Sequence, residues 1–171
     1  EAVSRAIQMW DSGADWVDIG GESTRPGAEP VNVEEEIRRV VPVIRKLREA
    51  RTDGLISIDT RRPEVAKAAL DAGANMINDV SGLRNPEMMD LVIEKKCPVC
   101  IMHMQGEPGN MQSSPTYSDV VEEVSQILLE KANELVARGH NQKLICLDPG
   151  IGFGKSLTHN LELLHRRNFE G

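Results

Sequence analysis

Asp18, Asp59, Asn78 with Asp79, His103 and Asp148 each stand where a short apolar run gives way to a polar or glycine-rich segment. No serine–histidine pair accompanies them. Carboxylates and an amide in such places suit a ligand edge rich in N–H groups, such as an aminopyrimidinone ring, which a carboxylate meets with paired hydrogen bonds. A single polar residue at a strand end says little, because Asp and Asn also cap helices and start turns. Recurrence at every strand points instead to a ligand site, with Asp59, Asn78 and Asp148 as its main candidates. Ordinary loop capping is the alternative.

Two loops could add to that site. Gly20-Gly-Glu-Ser-Thr-Arg-Pro-Gly27 puts the Thr24 hydroxyl and the Arg25 guanidinium on a glycine-flanked segment, and arginine is a fit partner for an anion. A solvated surface arginine is the plainer reading. Gly150-Ile-Gly-Phe-Gly-Lys155-Ser156 invites a phosphate-loop reading, but Pro149 occupies the place of the required first glycine. Its glycines give backbone freedom around Phe153, which either stacks on a planar ligand or tucks into the core.

Other reactive side chains read as structural. His103 has no second histidine at metal-ligand spacing, and His159 falls where a helix begins. Met102 and Met104 flank His103; one of them is expected to face the interior, and core packing is the plainer role for either. Cys97-Pro-Val-Cys100 has a CxxC spacing but lies in a buried strand, where residues three apart point to opposite faces and cannot share an ion. An odd count of three cysteines argues against a disulfide framework. The run Glu34 to Glu36 reads as the solvated first turn of a helix.

These residues need elements to hold them. Val3, Ala6, Ile7 and Trp10 give an opening helix, ended by Gly13. Strands are expected at 16–20, 55–59, 75–79, 98–104 and 143–148. Between them, helices follow Val33 (with Pro42 inside), Pro63, Asn85-Pro86 and Ser118 to Arg138, and a last helix starts near His159. Asp11-Ser-Gly-Ala-Asp-Trp-Val-Asp18 and Asp71-Ala-Gly-Ala-Asn-Met-Ile-Asn78 echo each other as helix end, Gly-Ala, strand, polar residue. The alternation forces parallel strands with helices outside. A doubly wound sheet is one solution. A (β/α)8 TIM-type barrel is the other, and is favoured because the chain opens at Glu1 within a helical pattern and stops at Gly171 after another helix. Such a barrel would be incomplete here: strands 2 to 6 with flanking helices, in one domain over 1–171 that is partial at both ends.

With 171 residues, 40% hydrophobic and 27% charged, the composition suits one globular domain with a sizeable core. The longest apolar runs are too short to cross a bilayer. A net charge of −7 has the wrong sign for a generic nucleic-acid binder, so an anionic ligand must be held by a few local cations. A cytoplasmic protein with neither membrane nor nucleic acid as partner is expected.

The chain resembles the dihydropteroate synthase family over its whole length. Asp18-Ile-Gly-Gly-Glu-Ser-Thr-Arg-Pro-Gly27, Ile58-Asp-Thr60, Ile77-Asn-Asp79, Met102-His-Met-Gln-Gly106 and Leu147-Asp-Pro-Gly-Ile-Gly-Phe-Gly-Lys155 carry the likeness. It implies a (β/α)8 barrel that joins 6-hydroxymethyl-7,8-dihydropterin pyrophosphate to 4-aminobenzoate for folate synthesis, as a homodimer. It further implies that Asp59, Asn78, Asp148 and Met102 hold the pterin. Thr24 and Arg25 would belong to the loop over pyrophosphate and aminobenzoate, and Phe153 to the aminobenzoate pocket, where sulfonamides compete. Asp18 and His103 have weaker claims. Mg²⁺ is expected as cofactor, held by a family segment of Asn-Val-Thr-Pro-Asp type that this sequence lacks, and no metal ligand is expected within the chain. The later Ser-Arg-Lys strand and Arg-x-His motif are also missing, so the isolated chain is expected to be inactive. A pterin-binding domain of a corrinoid or folate methyltransferase is the rival within the same fold, and a non-catalytic fragment the rival outside it.

Overall fold

The computed structural model describes residues 1–23, 25, 29–106, 111 and 115–166. Helix and strand alternate throughout: α1 (Ala2–Asp11), β1 (Trp16–Gly20), α2 (Val33–Ala50), β2 (Leu55–Asp59), α3 (Pro63–Ala72), β3 (Met76–Asp79), α4 (Pro86–Lys95), β4 (Val99–Met102), α5 (Val120–Ala137), β5 (Ile145–Asp148) and α6 (Leu157–His165). Among the described residues the five strands are parallel and lie in chain order, β1-β2-β3-β4-β5. A doubly wound sheet would reverse direction at a switch point. This sheet adds each strand on the same side.

Local chemistry explains where the elements begin and end. Asn32, Asn85, Asp119 and Ser156 cap α2, α4, α5 and α6 by accepting from backbone N–H groups that the first turn leaves unpaired. Pro63 and Pro86 occupy first-turn positions. Pro42 lies inside α2, which continues past it. Two strands are shorter than the apolar runs suggest. At the end of β4, His103 and Met104 have left the sheet. Ahead of β5, residues Gln142–Leu144 form a 3-10 turn after Asn141 accepts from Lys143 N–H at 3.0 Å.

The two faces of the sheet differ in kind. Val17, Ile56, Ile58, Ile77, Val99 and Ile101 point to the helices and are buried against apolar stripes that include Val40, Ile44 and Leu47 of α2 and Val124 and Leu128 of α5. The opposite face runs from apolar to polar along the strands. Trp16 and Leu55, a register pair, stand at its amino end, each 37% exposed. Asp18 pairs with Ser57, Asp59 with Asn78, and Met102 with Asp148 toward the carboxyl end. At the amino end of the strands, Arg48 of α2 donates to Gly73 O at 2.6 Å and also to Gly54 O and Asn75 Oδ1, tying the α3 terminus to the starts of β2 and β3.

Candidate ligand site at the strand ends

Alternation decides which strand-end residues can meet a ligand. Asn78 lies on the polar face and donates from Nδ2 to Asp18 Oδ2 at 3.1 Å, while Ser57 Oγ donates to Asp18 Oδ1. Asp18 is therefore bridged to both neighbouring strands. Its neighbour in the sequence pattern, Asp79, points the other way. It is fully buried and accepts from Ser81 N–H at 2.8 Å, Ser81 Oγ at 2.7 Å and Leu83 N–H at 3.0 Å. Burial raises its pKa against the pull of those bonds. Asp79 shapes the loop after β3.

Asp59 is half-buried, and its carboxylate lies over the backbone of Gly20, where a Cβ would come within 3.3 Å of Oδ2. Burial first, then the negative charges of Asp18, Glu36, Asp79 and Glu22, push its pKa up to about 7. A carboxyl poised between its two states beside Asn78 and Asp18 is a chemically distinctive feature. Asp148 sits on the same face three strands away, with Oδ1 accepting from Gly150 N–H at 2.7 Å.

The strand-end histidine is a support. His103 is 6% exposed, and its Nδ1 lies 3.0 Å from Lys155 Nζ. Burial and the neighbouring charges of Lys155 and Arg84 lower its pKa to about 4, so it accepts from the ammonium as a neutral ring. Lys155 also donates to His103 O, Gly150 O and Phe153 O at 3.2, 3.0 and 2.9 Å. Burial brings its pKa down to about 8. The ammonium is thus spent inside the loop after β5, in keeping with the failed phosphate-loop pattern. Gly150 has φ +67, and a Cβ there would fall 2.0 Å from His103 O, so only glycine lets the two loops approach. Phe153 is partly buried against Val80, Met102, Met104 and Met111. Met102 faces the polar side of the sheet in register with Asp148.

Thr24 lies outside the described residues. Arg25 is exposed, with its backbone N–H donating to Ser23 Oγ at 3.4 Å. The base of that loop is anchored more firmly than its glycines suggest. Glu22 pairs with Arg61 at 3.2 Å and Arg62 at 3.0 Å. Glu36 accepts from Thr60 Oγ1 at 2.7 Å and pairs with Arg62.

That arrangement corrects the reading of Glu34 to Glu36 as a solvated turn: Glu36 is 1% exposed, because the third residue of the run falls on the core-facing stripe of α2. Breaking this buried pair with Glu36→Ala leaves the Thr60 hydroxyl and part of the Arg62 guanidinium unsatisfied. A loss of about 2–3 kcal/mol is expected, reduced by the contact Arg62 keeps with Glu22. Urea unfolding checks it, and a loss below about 0.5 kcal/mol would contradict the assignment.

The residues that sequence reasoning missed were Ser57, Glu36, Lys155 and the thiol of Cys146. Ser57 could have been found from period-two spacing to Asp59. The others depend on neighbours far away in sequence. Among the described residues no group of three or more His, Cys, Asp or Glu side chains could hold a metal ion.

Comparison with known proteins places this geometry. A family model described as pterin binding enzyme matches residues 1–168. Dihydropteroate synthase of Escherichia coli K12 is 45% identical over 166 residues, which are 97% of this chain and 58% of that protein. The Yersinia pestis dihydropteroate synthase, solved in complex with a sulfonamide drug, superposes with a TM-score of 0.91 at 42% identity, covering 96% of this chain and 60% of that one. Burkholderia cenocepacia dihydropteroate synthase, complexed with 7,8-dihydropteroate, gives a TM-score of 0.86 at 47% identity over 95% of this chain and 58% of that one. The chain thus spans about three fifths of the length of these relatives. With parallel strands in chain order, a polar face of acids and amide, and a family match along nearly all of its length, the chain belongs to the pterin binding enzymes.

Proposed function

We propose that this chain is the pterin-reading part of a dihydropteroate synthase, which condenses 6-hydroxymethyl-7,8-dihydropterin pyrophosphate with 4-aminobenzoate to give 7,8-dihydropteroate and pyrophosphate. The observation that carries the reading is the polar face on which Asp59, Asn78 and Asp148 stand together, with Asp18 fixing the amide of Asn78. The ring of a pterin offers a matching edge of N–H donors. Phe153 and Met102 supply apolar surface beside that edge, and Thr24 and Arg25 are assigned to the loop over the pyrophosphate and aminobenzoate. Sulfonamides, as 4-aminobenzoate mimics, would compete there.

In the reaction the bond from the pterin methylene to pyrophosphate oxygen breaks with its electron pair. The amine nitrogen of 4-aminobenzoate forms the new carbon–nitrogen bond and then loses a proton. Positive charge that develops on the methylene spreads into the pterin, so acids along the ring edge stabilise it while they hold the ring in line. Mg²⁺ belongs to the proposal as the ion that would neutralise the leaving pyrophosphate in the complete enzyme, and among the described residues no group of three or more His, Cys, Asp or Glu side chains gathers to hold it.

The proposal includes a closed (β/α)8 barrel, acting as a homodimer in the cytoplasm. Strand order and the exposed inner-face pair Trp16 and Leu55 support closure, since further strands would cover that apolar surface. Calorimetry with 6-hydroxymethyl-7,8-dihydropterin pyrophosphate, and separately with methyltetrahydrofolate, tests the reading. Binding of the methyltetrahydrofolate alone would replace the synthase by a methyltransferase.

Asp59 adds a pH signature. Its raised pKa leaves much of the carboxyl protonated below about 7, and a protonated carboxyl cannot accept two ring N–H bonds. Pterin affinity should therefore climb by up to about tenfold per unit as pH rises toward 7 and level off above it. Asp59→Asn should bind weakly with a flat profile. A flat profile in the unaltered chain would remove Asp59 from the ring edge.

A further inference from the structure

The polar face carries two thiols that the proposed reaction does not use. Cys100 of β4 and Cys146 of β5 are register partners on adjacent parallel strands. Both are free; Cys100 is buried and Cys146 exposed. Cys97, the other half of the CxxC spacing, lies before β4 and has no part in the pair. We infer that Cys100 and Cys146 form a two-sulfur site for a soft, thiophilic monovalent ion, of which Cu(I) is the natural probe.

Distance is the first argument. Side chains in register on neighbouring strands stand roughly parallel, with the strands ~4.8 Å apart. Two metal–thiolate bonds of ~2.3 Å laid end to end span nearly the same length. A disulfide would fit the same strand spacing, since it joins Cα atoms ~4.4–6.8 Å apart, so the site is tested on the two free thiols in the absence of oxygen. Coordination number is the second argument. Among the described residues no third His, Cys, Asp or Glu completes a cluster, so tetrahedral Zn²⁺ is poorly served, whereas a soft d10 ion is content with two thiolates.

Electrostatics agree with a cation. Asp148 acts on both thiols and Asp18 on Cys100. The Cys100 thiol donates toward Cys146, which pulls the Cys146 pKa down and pushes that of Cys100 up. Binding forms two copper–sulfur bonds in place of two sulfur–hydrogen bonds with no change of oxidation state: Cu(I) plus two thiols gives a bis-thiolate complex and two protons. This site does not rest on the pterin reading, and the titration that tests it contains no pterin, so either can fail alone.

The test is an anaerobic titration of the chain with Cu(I) held by a coloured competing chelator. One equivalent should transfer to the protein. Cys100→Ser and Cys146→Ser should each lower the affinity at least a hundredfold, with Cys97→Ser unchanged. X-ray absorption on the copper-loaded chain should show two sulfur neighbours, and mass spectrometry should show Cys100 and Cys146, but not Cys97, protected from alkylation. The last two measurements use the unaltered chain, so they decide the matter even where a serine variant misfolds. Retention of tight copper by the Cys100→Ser/Cys146→Ser double variant, dependence on Cys97, or nitrogen and oxygen neighbours only would each overturn the site.

Discussion

Asp148→Ala should abolish measurable pterin binding. On the proposed reading this carboxylate accepts paired N–H bonds from the ring, and its removal strands those donors where water cannot replace it well. Leaving each buried donor unpaired costs about 1–3 kcal/mol, so affinity should fall at least about a hundredfold. The substitution also deletes the bond from Gly150 N–H at 2.7 Å, which could disturb the loop independently of any ligand. Asp148→Asn separates the two effects. Its carbonyl can still accept from Gly150, so the melting temperature should hold, yet its amide presents a donor to a ring that needs an acceptor. The predicted result in calorimetry is therefore a stable Asn variant that binds pterin as poorly as the Ala variant. Unchanged affinity in either one would take Asp148 out of the site.

Lys155→Met should be the most damaging single change to stability among the buried polar residues. Methionine keeps the apolar stem but removes the donor shared by His103 Nδ1, His103 O, Gly150 O and Phe153 O. A loss of about 3–5 kcal/mol is expected from the orphaned acceptors. A second readout reports the pairing itself. The Lys155 charge is one of the causes that hold the His103 pKa down to about 4, so NMR titration of the variant should find that ring protonating at higher pH. Because the folded pKa of His103 is depressed, its contribution to stability is complete above its ordinary value near 6.5. That contribution is lost as pH falls toward about 4. In Lys155→Met this acid-sensitive window should narrow. An unmoved His103 titration would show that the ammonium does not act on the ring.

Much of this architecture was legible in the residues because it rests on local chemistry. Asn85-Pro86 starts α4 and Pro63 starts α3, and the periodicity of α2 is plain from Val33 to Leu47. Alternation was used to separate Cys97 from Cys100, although the structure leaves Cys97 ahead of β4, which begins at Val99. The same rule, applied to Asn78 and Asp79, would have split a pair that looked like one polar feature. Where the reading fell short, the deciding contact joined residues far apart in the chain. Glu36 looked solvated because its partners, Thr60 and Arg62, come from the next strand–helix unit. The role of Lys155 was not legible because its acceptors are mainly backbone carbonyls, which have no signature in sequence.

The strand-end acids and amide, the alternation of elements and the family likeness are determined by the sequence alone, since residue type, period and capping act over a few neighbours. Only the tertiary structure decided which of those groups turn toward one face, because strand register sets the direction of every side chain at once. It put Asp59, Asn78 and Asp148 together, turned Asp79 and His103 away into the loops, and brought Cys100 beside Cys146 across two strands. It also raised the pKa of Asp59, because burial and crowding by other carboxylates are properties of a place in the fold and not of the residue.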